Sequence, residues 1–159
     1  MASRASSKDA IDCREVAACT CLGLRRVGRL LPPLFAAYLQ PAGLTIGQFG
    51  LLTQIYAHSS AGSPLTMKAL SSALGMDPTT LNRTLKPLEA EELIRTGQDA
   101  NDRRARSIHI TAAGRKRLER AMPLWRAADA ELQQAVGTQT RLALSGLLGV
   151  ATRKLRKSE

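Results

Sequence analysis

The sequence predicts a mainly α-helical fold that carries one small β-hairpin, and three observations predict it. Hydrophobic residues make up 44% of the 159 while aromatics make up only 3%; the apolar content is largely Leu and Ala, which form helices well and strands poorly. Apolar positions recur at three- and four-residue steps through most of the chain, the period of a helix face. Only after Leu93 does that period give way to alternation, on either side of a polar, charged turn, which is the pattern of a hairpin.

A first helix is predicted over residues 12–40, on the apolar positions Cys13, Val16, Leu24, Val27, Leu31, Leu34 and Tyr38. Pro32-Pro33 removes backbone donors and crowds the preceding turn, which predicts a kink near Leu30. Pro41-Ala42-Gly43 ends the helix. The second helix has a clear start: Thr45 and Gln48 form a capping box, and Leu44 can staple onto Phe49. It runs to about His58, before a Ser-, Gly- and Pro-bearing loop. Thr66 caps a short third helix over residues 67–74. Gly75-Met76 turns the chain, and Asp77-Pro78 opens a fourth helix, read over residues 77–92, with Asp77 as N-cap and Pro78 at the first helical position.

Strands are predicted at residues 93–96 and 107–110, joined by the charged tip 97–106. Thr111 starts a long fifth helix with Leu118, Met122, Trp125, Leu132 and Val136 on one stripe, which Asp129 interrupts. A sixth helix covers residues 138–155 and ends in the basic run 153–157, where cations suit the helix C-terminus.

The net charge of +10 and pI near 10.4 are spread along the chain and point to a polyanionic partner. The first ten residues lack the apolar segment of a signal peptide. The longest apolar stretch, 143–151, is too short to span a bilayer, so a cytoplasmic protein without membrane contact is expected, with Cys13, Cys19 and Cys21 as reduced thiols. His58 and His109 are the only histidines and have no Cys, Asp or Glu at metal-ligand spacing, so neither a metal nor a cofactor is expected. No phosphate-cradling Gly loop, nucleophile elbow or paired-carboxylate motif is present, which argues against an enzyme.

Two short helices joined by a Gly-containing turn form a helix-turn-helix. Gly75 suits the left-handed turn, Leu70, Leu74, Leu81, Leu85 and Leu88 supply the inner faces, and Thr79, Thr80, Asn82, Arg83 and Lys86 fall on the outer face of the second helix. Asn pairs with adenine and Arg with guanine in the major groove. In the hairpin tip, Asp99 and Asp102 can orient Arg103, Arg104 and Arg106, and exposed arginines suit a narrow minor groove. The hairpin directly after the helix-turn-helix makes the whole a winged helix-turn-helix over residues 44–111. Pro87 deletes a backbone bond to the Arg83 carbonyl, so base contacts are expected before it and Lys86 is expected on phosphate.

The run Leu74-Gly75-Met76-Asp77-Pro78-Thr79-Thr80-Leu81-Asn82-Arg83, then Leu85-Lys86-Pro87-Leu88-Glu89 and Leu93-Ile94, resembles the MarR family, the multiple-antibiotic-resistance type of winged-helix regulator. The tip Asp99-x-x-Asp102-x-Arg104 resembles that family's wing signature, and Ile110-Thr111-Ala112-Ala113-Gly114 resembles the start of its fifth helix. The resemblance covers nearly the whole chain from about Cys13. It implies a helical dimerisation region formed by 11–42 and 112–159, a homodimer, and double-stranded DNA with a palindromic operator as partner, its half-site centres roughly 34–36 Å apart; ahead of it, residues 1–10 are expected to be a disordered N-terminus. It also implies a repressor released by a small lipophilic or phenolic effector or by thiol oxidation. Tyr38, Phe49, Ile55, His58 and Trp125 are the candidate effector pocket, and Cys13, Cys19 and Cys21 the candidate redox residues. Ser71 departs from the family's usual Ala, and its hydroxyl would bond a carbonyl one turn back. The competing readings are a non-sequence-specific architectural DNA-binding protein and a thiol-dependent enzyme.

Overall fold

The structure is a computed structural model, and it describes residues 16, 18–60, 65–98 and 106–156. The chain forms two compact units, residues 1–33 and 34–159.

Helix α1, Thr20–Leu39, starts in the first unit and ends in the second. It follows a break that the apolar period does not show: Val16 is helical, Cys19 lies outside the helix, and the Cys19 carbonyl accepts the first bond of α1, from Gly23 N, at 3.0 Å. Both Pro32 and Pro33 sit inside the helix without ending it. In the first unit Leu22, Leu24 and Leu30 are exposed.

The second unit opens with the last turn of α1 and a 3₁₀ turn, Gln40–Ala42, closed by Gly43 in the left-handed region at φ 65°. Helix α2, Ile46–Ser60, follows. The capping box is formed: Thr45 N donates to Gln48 Oε1 at 2.9 Å and Gln48 N donates to Thr45 Oγ1 at 3.2 Å. Leu44 and Phe49, the staple pair, are both buried.

Strand β1, Leu65–Thr66, leads directly into α3, Met67–Leu74, capped by the Thr66 hydroxyl, which accepts from Ala69 N at 3.1 Å. This two-residue strand has no periodicity of its own and exists only through its partner: Leu65 pairs with Ile108 and Thr66 with Ser107. Gly75 turns the chain at φ 62°, and α4, Pro78–Ala90, starts on the Asp77 cap.

Helix α4 stops short of the expected Glu92. Glu92 is itself left-handed, at φ 55°, which lets Leu93 N donate back to Leu88 O at 2.9 Å and ends the helix. Strands β2, Ile94–Gln98, and β3, Arg106–Ile110, form the hairpin, with Ile94 opposite Ile110 and Gln98 opposite Arg106. The sheet order is β1-β3-β2, all antiparallel.

Helix α5, Ala112–Val136, starts on Thr111, whose hydroxyl accepts from Gly114 N at 3.0 Å. Leu118 is buried on the core, with Met122 and Trp125 packed against it. The polar residue that interrupts this stripe, Asp129, receives Arg141 from α6, Thr138–Arg156, at 3.4 Å. The core of the unit gathers Leu39, Leu52, Ile55, Leu70, Leu81, Leu85, Leu88, Ile108 and Ala121, drawn from nearly every element. Removing any of these leucines to Ala would cost about 2–5 kcal/mol.

Candidate nucleic-acid interface

Helix α4 is sorted into two faces by its spacing. Leu81, Leu85 and Leu88, at steps of four and three, are 0%, 2% and 0% exposed, and they fix the helix against α3 and α2 through the shared core. The opposite face therefore points outward, and Thr79, Asn82, Arg83 and Lys86 are all exposed on it. Thr80 is half-buried. Its backbone N–H donates to Asp77 Oδ1 at 2.9 Å, and its carbonyl accepts the Thr84 hydroxyl at 2.9 Å. Thr80 also donates from its side chain to Asp77, and together these bonds hold the Asp77 carboxyl below its ordinary pKa, since they favour the charged form. Thr80 is thus part of the cap that starts the helix, whereas Thr79 in the first turn and Asn82 and Arg83 in the next are exposed on the outer face. Pro87 is exposed and the helix continues past it to Ala90.

The turn ahead of α4 is held more tightly than glycine alone requires. Met76 N donates to Ser71 O at 3.1 Å, and the Ser71 hydroxyl donates to the Met76 carbonyl. The expected bond to a carbonyl one turn back is replaced by one that reaches forward across the turn. The hydroxyl that departs from the family pattern therefore fastens α3 to the approach to α4.

Of the hairpin residues, Asp99, Asp102, Arg103 and Arg104 lie outside the described residues, and Arg106 is exposed at the start of β3. Its Nη2 donates to Thr96 Oγ1 at 2.9 Å. Arg95 is exposed on β2, opposite His109. Sequence reading did not single out Thr96 or Glu89, because their contact depends on how β2 folds back beside α4.

The base of the hairpin is anchored to α5. The Thr111 hydroxyl donates to Glu92 O at 2.7 Å, and Thr111 N donates to Leu93 O at 3.0 Å. A Cβ on Gly114 would lie 2.0 Å from that same Leu93 carbonyl oxygen. Arg117, one turn on, donates to Glu91 Oε2 at 3.0 Å and to Ala42 O at 3.2 Å. The first turns of α5 thus grip the chain where it leaves α4.

The five residues assigned to an effector pocket fall on α1, α2 and α5. Phe49 and Trp125 stack at 6.1 Å between ring centroids, and Ile55 is fully buried in the core. The Tyr38 hydroxyl donates to Glu131, which raises the tyrosine pKa above its ordinary value. His58 Nδ1 lies 3.0 Å from Gln54 O. A cavity of about 320 Å³ opens between α2 and α5, lined by Thr53, Tyr56, Arg115, Leu118, Glu119 and Met122. These six residues lie some 60 positions apart in the sequence, so only the packing of the two helices reveals them. Among the cysteines, Cys13 lies outside the described residues, Cys19 is half-buried ahead of α1, and Cys21 is exposed in its first turn. Among the described residues no group of His, Cys, Asp or Glu is placed to hold a metal ion, and no helix is long and apolar enough to cross a membrane.

Residues 42–105 match the model of the MarR family. The chain is 31% identical over 109 residues to an HTH-type transcriptional repressor of Mycobacterium tuberculosis strain H37Rv, covering 69% of this chain and 76% of that protein. The transcriptional regulator MosR of M. tuberculosis, solved in complex with DNA, is similar at TM-score 0.70 and 35% identity, over 84% of this chain and 96% of that one. The repressor CouR, solved on a 23-mer DNA duplex, superposes at TM-score 0.76 and 23% identity, over 90% of this chain and 99% of that one, a likeness of fold.

Proposed function

The chain belongs to the MarR family, and we propose that it acts as a homodimeric repressor that reads a palindromic operator with α4. It is a sequence-specific DNA-binding transcriptional regulator and not an enzyme. The single observation that carries the reading is the two-faced α4: three leucines buried to 2% or less, and Thr79, Asn82, Arg83 and Lys86 exposed on the other side. Thr79, Asn82 and Arg83 read base edges ahead of Pro87, and Lys86 takes a phosphate. The hairpin arginines Arg103 and Arg104 are assigned to the flanking minor groove on the sequence alone. Thr80 contributes by capping.

Helix α6 supports the homodimer. Leu142, Leu147, Val150 and Leu155 are 52%, 69%, 42% and 72% exposed, more apolar surface along one helix than a lone chain leaves in water. In this reading residues 11–42 and 112–159 form the dimerisation region and 44–111 the DNA-binding region. The effector site is the cavity between α2 and α5, where Leu118 and Met122 give an apolar wall and Arg115 and Glu119 place one charge of each sign beside it, a lining suited to a small lipophilic or phenolic ligand. Release by thiol oxidation is the second route. It is favoured by one observation: Cys19 precedes the helix and Cys21 is exposed within it, so the two are not fixed on different faces of one helix.

Footprinting on the DNA upstream of the chain's own gene tests the reading, with a random duplex as reference. A protected palindrome bound about 10³-fold or more tighter than random duplex is expected; equal affinity for the two would leave an architectural DNA-binding protein.

A further inference from the structure

Helix α4 and the hairpin are joined by a chain of three side chains. Glu89 lies one residue before the end of α4, and its Oε1 accepts the Thr96 hydroxyl at 2.7 Å. Thr96 Oγ1 in turn accepts Arg106 Nη2 at 2.9 Å. The direction of these bonds is fixed by proton count. The one hydroxyl proton of Thr96 goes to the carboxylate, which leaves the oxygen lone pairs for the guanidinium. A cation and an anion at the two ends polarise the hydroxyl between them, so each bond strengthens the other.

The register shows why a long side chain is needed. Arg106 pairs with Gln98, and Thr96 pairs with Ile108. Arg106 therefore reaches Thr96 along the diagonal, a span open only to long side chains. Glu89 and Thr96 are half-buried and Arg106 is exposed. The main-chain anchors of the hairpin, Leu93 N to Leu88 O and Thr111 N to Leu93 O, act at its base. The three side chains meet farther along the strands, at the Thr96 level of the hairpin.

We propose that Glu89, Thr96 and Arg106 form a positioning relay that sets the tilt of the hairpin against α4, so that operator preference depends on residues that touch no base. The inference rests on the reading that α4 and the hairpin engage the same DNA site. Rigid spacing between the two elements lets one base-edge register and one minor-groove register be satisfied together; a hairpin free to tilt satisfies them one at a time. Arg106 serves here as the outer anchor of the relay.

The test measures the ratio of operator to random-duplex affinity, well below each variant's unfolding midpoint. Thr96→Val keeps the shape of the side chain and removes the hydroxyl, and valine suits a strand. It is expected to lower the ratio about tenfold, the weight of a charge-assisted bond, while random-duplex affinity and its salt dependence stay at wild-type values. Thr96→Ser restores the hydroxyl and the ratio. Glu89→Ala lowers the ratio as Thr96→Val does, and the double variant falls no further than either, because both break one relay. A ratio fully retained by Thr96→Val, or fully additive losses in the double variant, overturns the relay alone. A wild type with no preference for the operator overturns the reading of the site and the relay with it.

Discussion

Ser71 and Met76 hold each other twice across the turn between α3 and α4: the Met76 N–H donates to the Ser71 carbonyl at 3.1 Å, and the Ser71 hydroxyl donates to the Met76 carbonyl. The pair encloses Gly75, which makes the left-handed step at φ 62°. The angle between the two helices is therefore set by a backbone bond, a side-chain bond and one glycine, all within six residues.

Removing the hydroxyl should loosen this turn. Ser71→Ala leaves the half-buried Met76 carbonyl without its side-chain donor, at a cost of about 0.5–1.5 kcal/mol. Denaturant unfolding reads this as a lower midpoint at constant slope. An unchanged midpoint would mean that the backbone bond alone holds the turn.

A larger effect is expected at Gly114. Any Cβ there would meet the Leu93 carbonyl oxygen at 2.0 Å and Ile110 Cγ1 at 2.8 Å. Neither can move freely, because Leu93 O also accepts Thr111 N and Ile110 lies in the core. Gly114→Ala should cost roughly 3 kcal/mol, at the upper end of overpacking, although alanine is the better helix former. If thermal unfolding shows the variant as stable as the wild type, α5 does not approach the hairpin base this closely.

Two groups give opposite pH signatures. The Asp77 carboxyl is held below its ordinary pKa by bonds from Thr80, so its contribution to stability is present above the ordinary carboxylate range and is lost as pH falls through the lowered value. Asp77→Asn still caps the helix but does not titrate, so the stability gap between wild type and variant should narrow below about pH 4. Tyr38 is raised by its bond to Glu131; its contribution is present below the ordinary tyrosine range and lost as pH rises through the raised value. Tyr38→Phe should remove that alkaline loss. Curves that run parallel to wild type from acid to alkaline pH would contradict both assignments.

Local chemistry was legible in the sequence wherever a signal lay within a few residues. Thr45 with Gln48, Thr66, Asp77-Pro78 and Thr111 each marked a helix start that the structure places within a residue. The break ahead of α1 was hidden because the apolar period runs on through Val16 and past Cys19, which takes the capping position. Helix α4 was read two residues too long, since Glu91 and Glu92 are good helix formers and nothing local shows that Leu93 N must bond Leu88 O. Strand β1 was missed because Leu65 and Thr66 become a strand only beside Ile108 and Ser107. Asp129 looked like a flaw in a stripe until Arg141, from the next helix, met it. The same limit applies to the candidate site. The outer face of α4 followed from the spacing of three leucines, whereas the cavity at Thr53 and Arg115 and the contact of Glu89 with Thr96 depend on packing between distant segments.

The central claim is that α4 reads bases, and Arg83 tests it most directly. Arg83 is exposed on the outer face, one turn ahead of Pro87. Titrating wild type and Arg83→Ala against the operator and against random duplex gives two affinity ratios. The ratio should fall by about 1–3 kcal/mol in the variant, with a smaller change in random-duplex affinity. An unchanged ratio would contradict base reading by this helix.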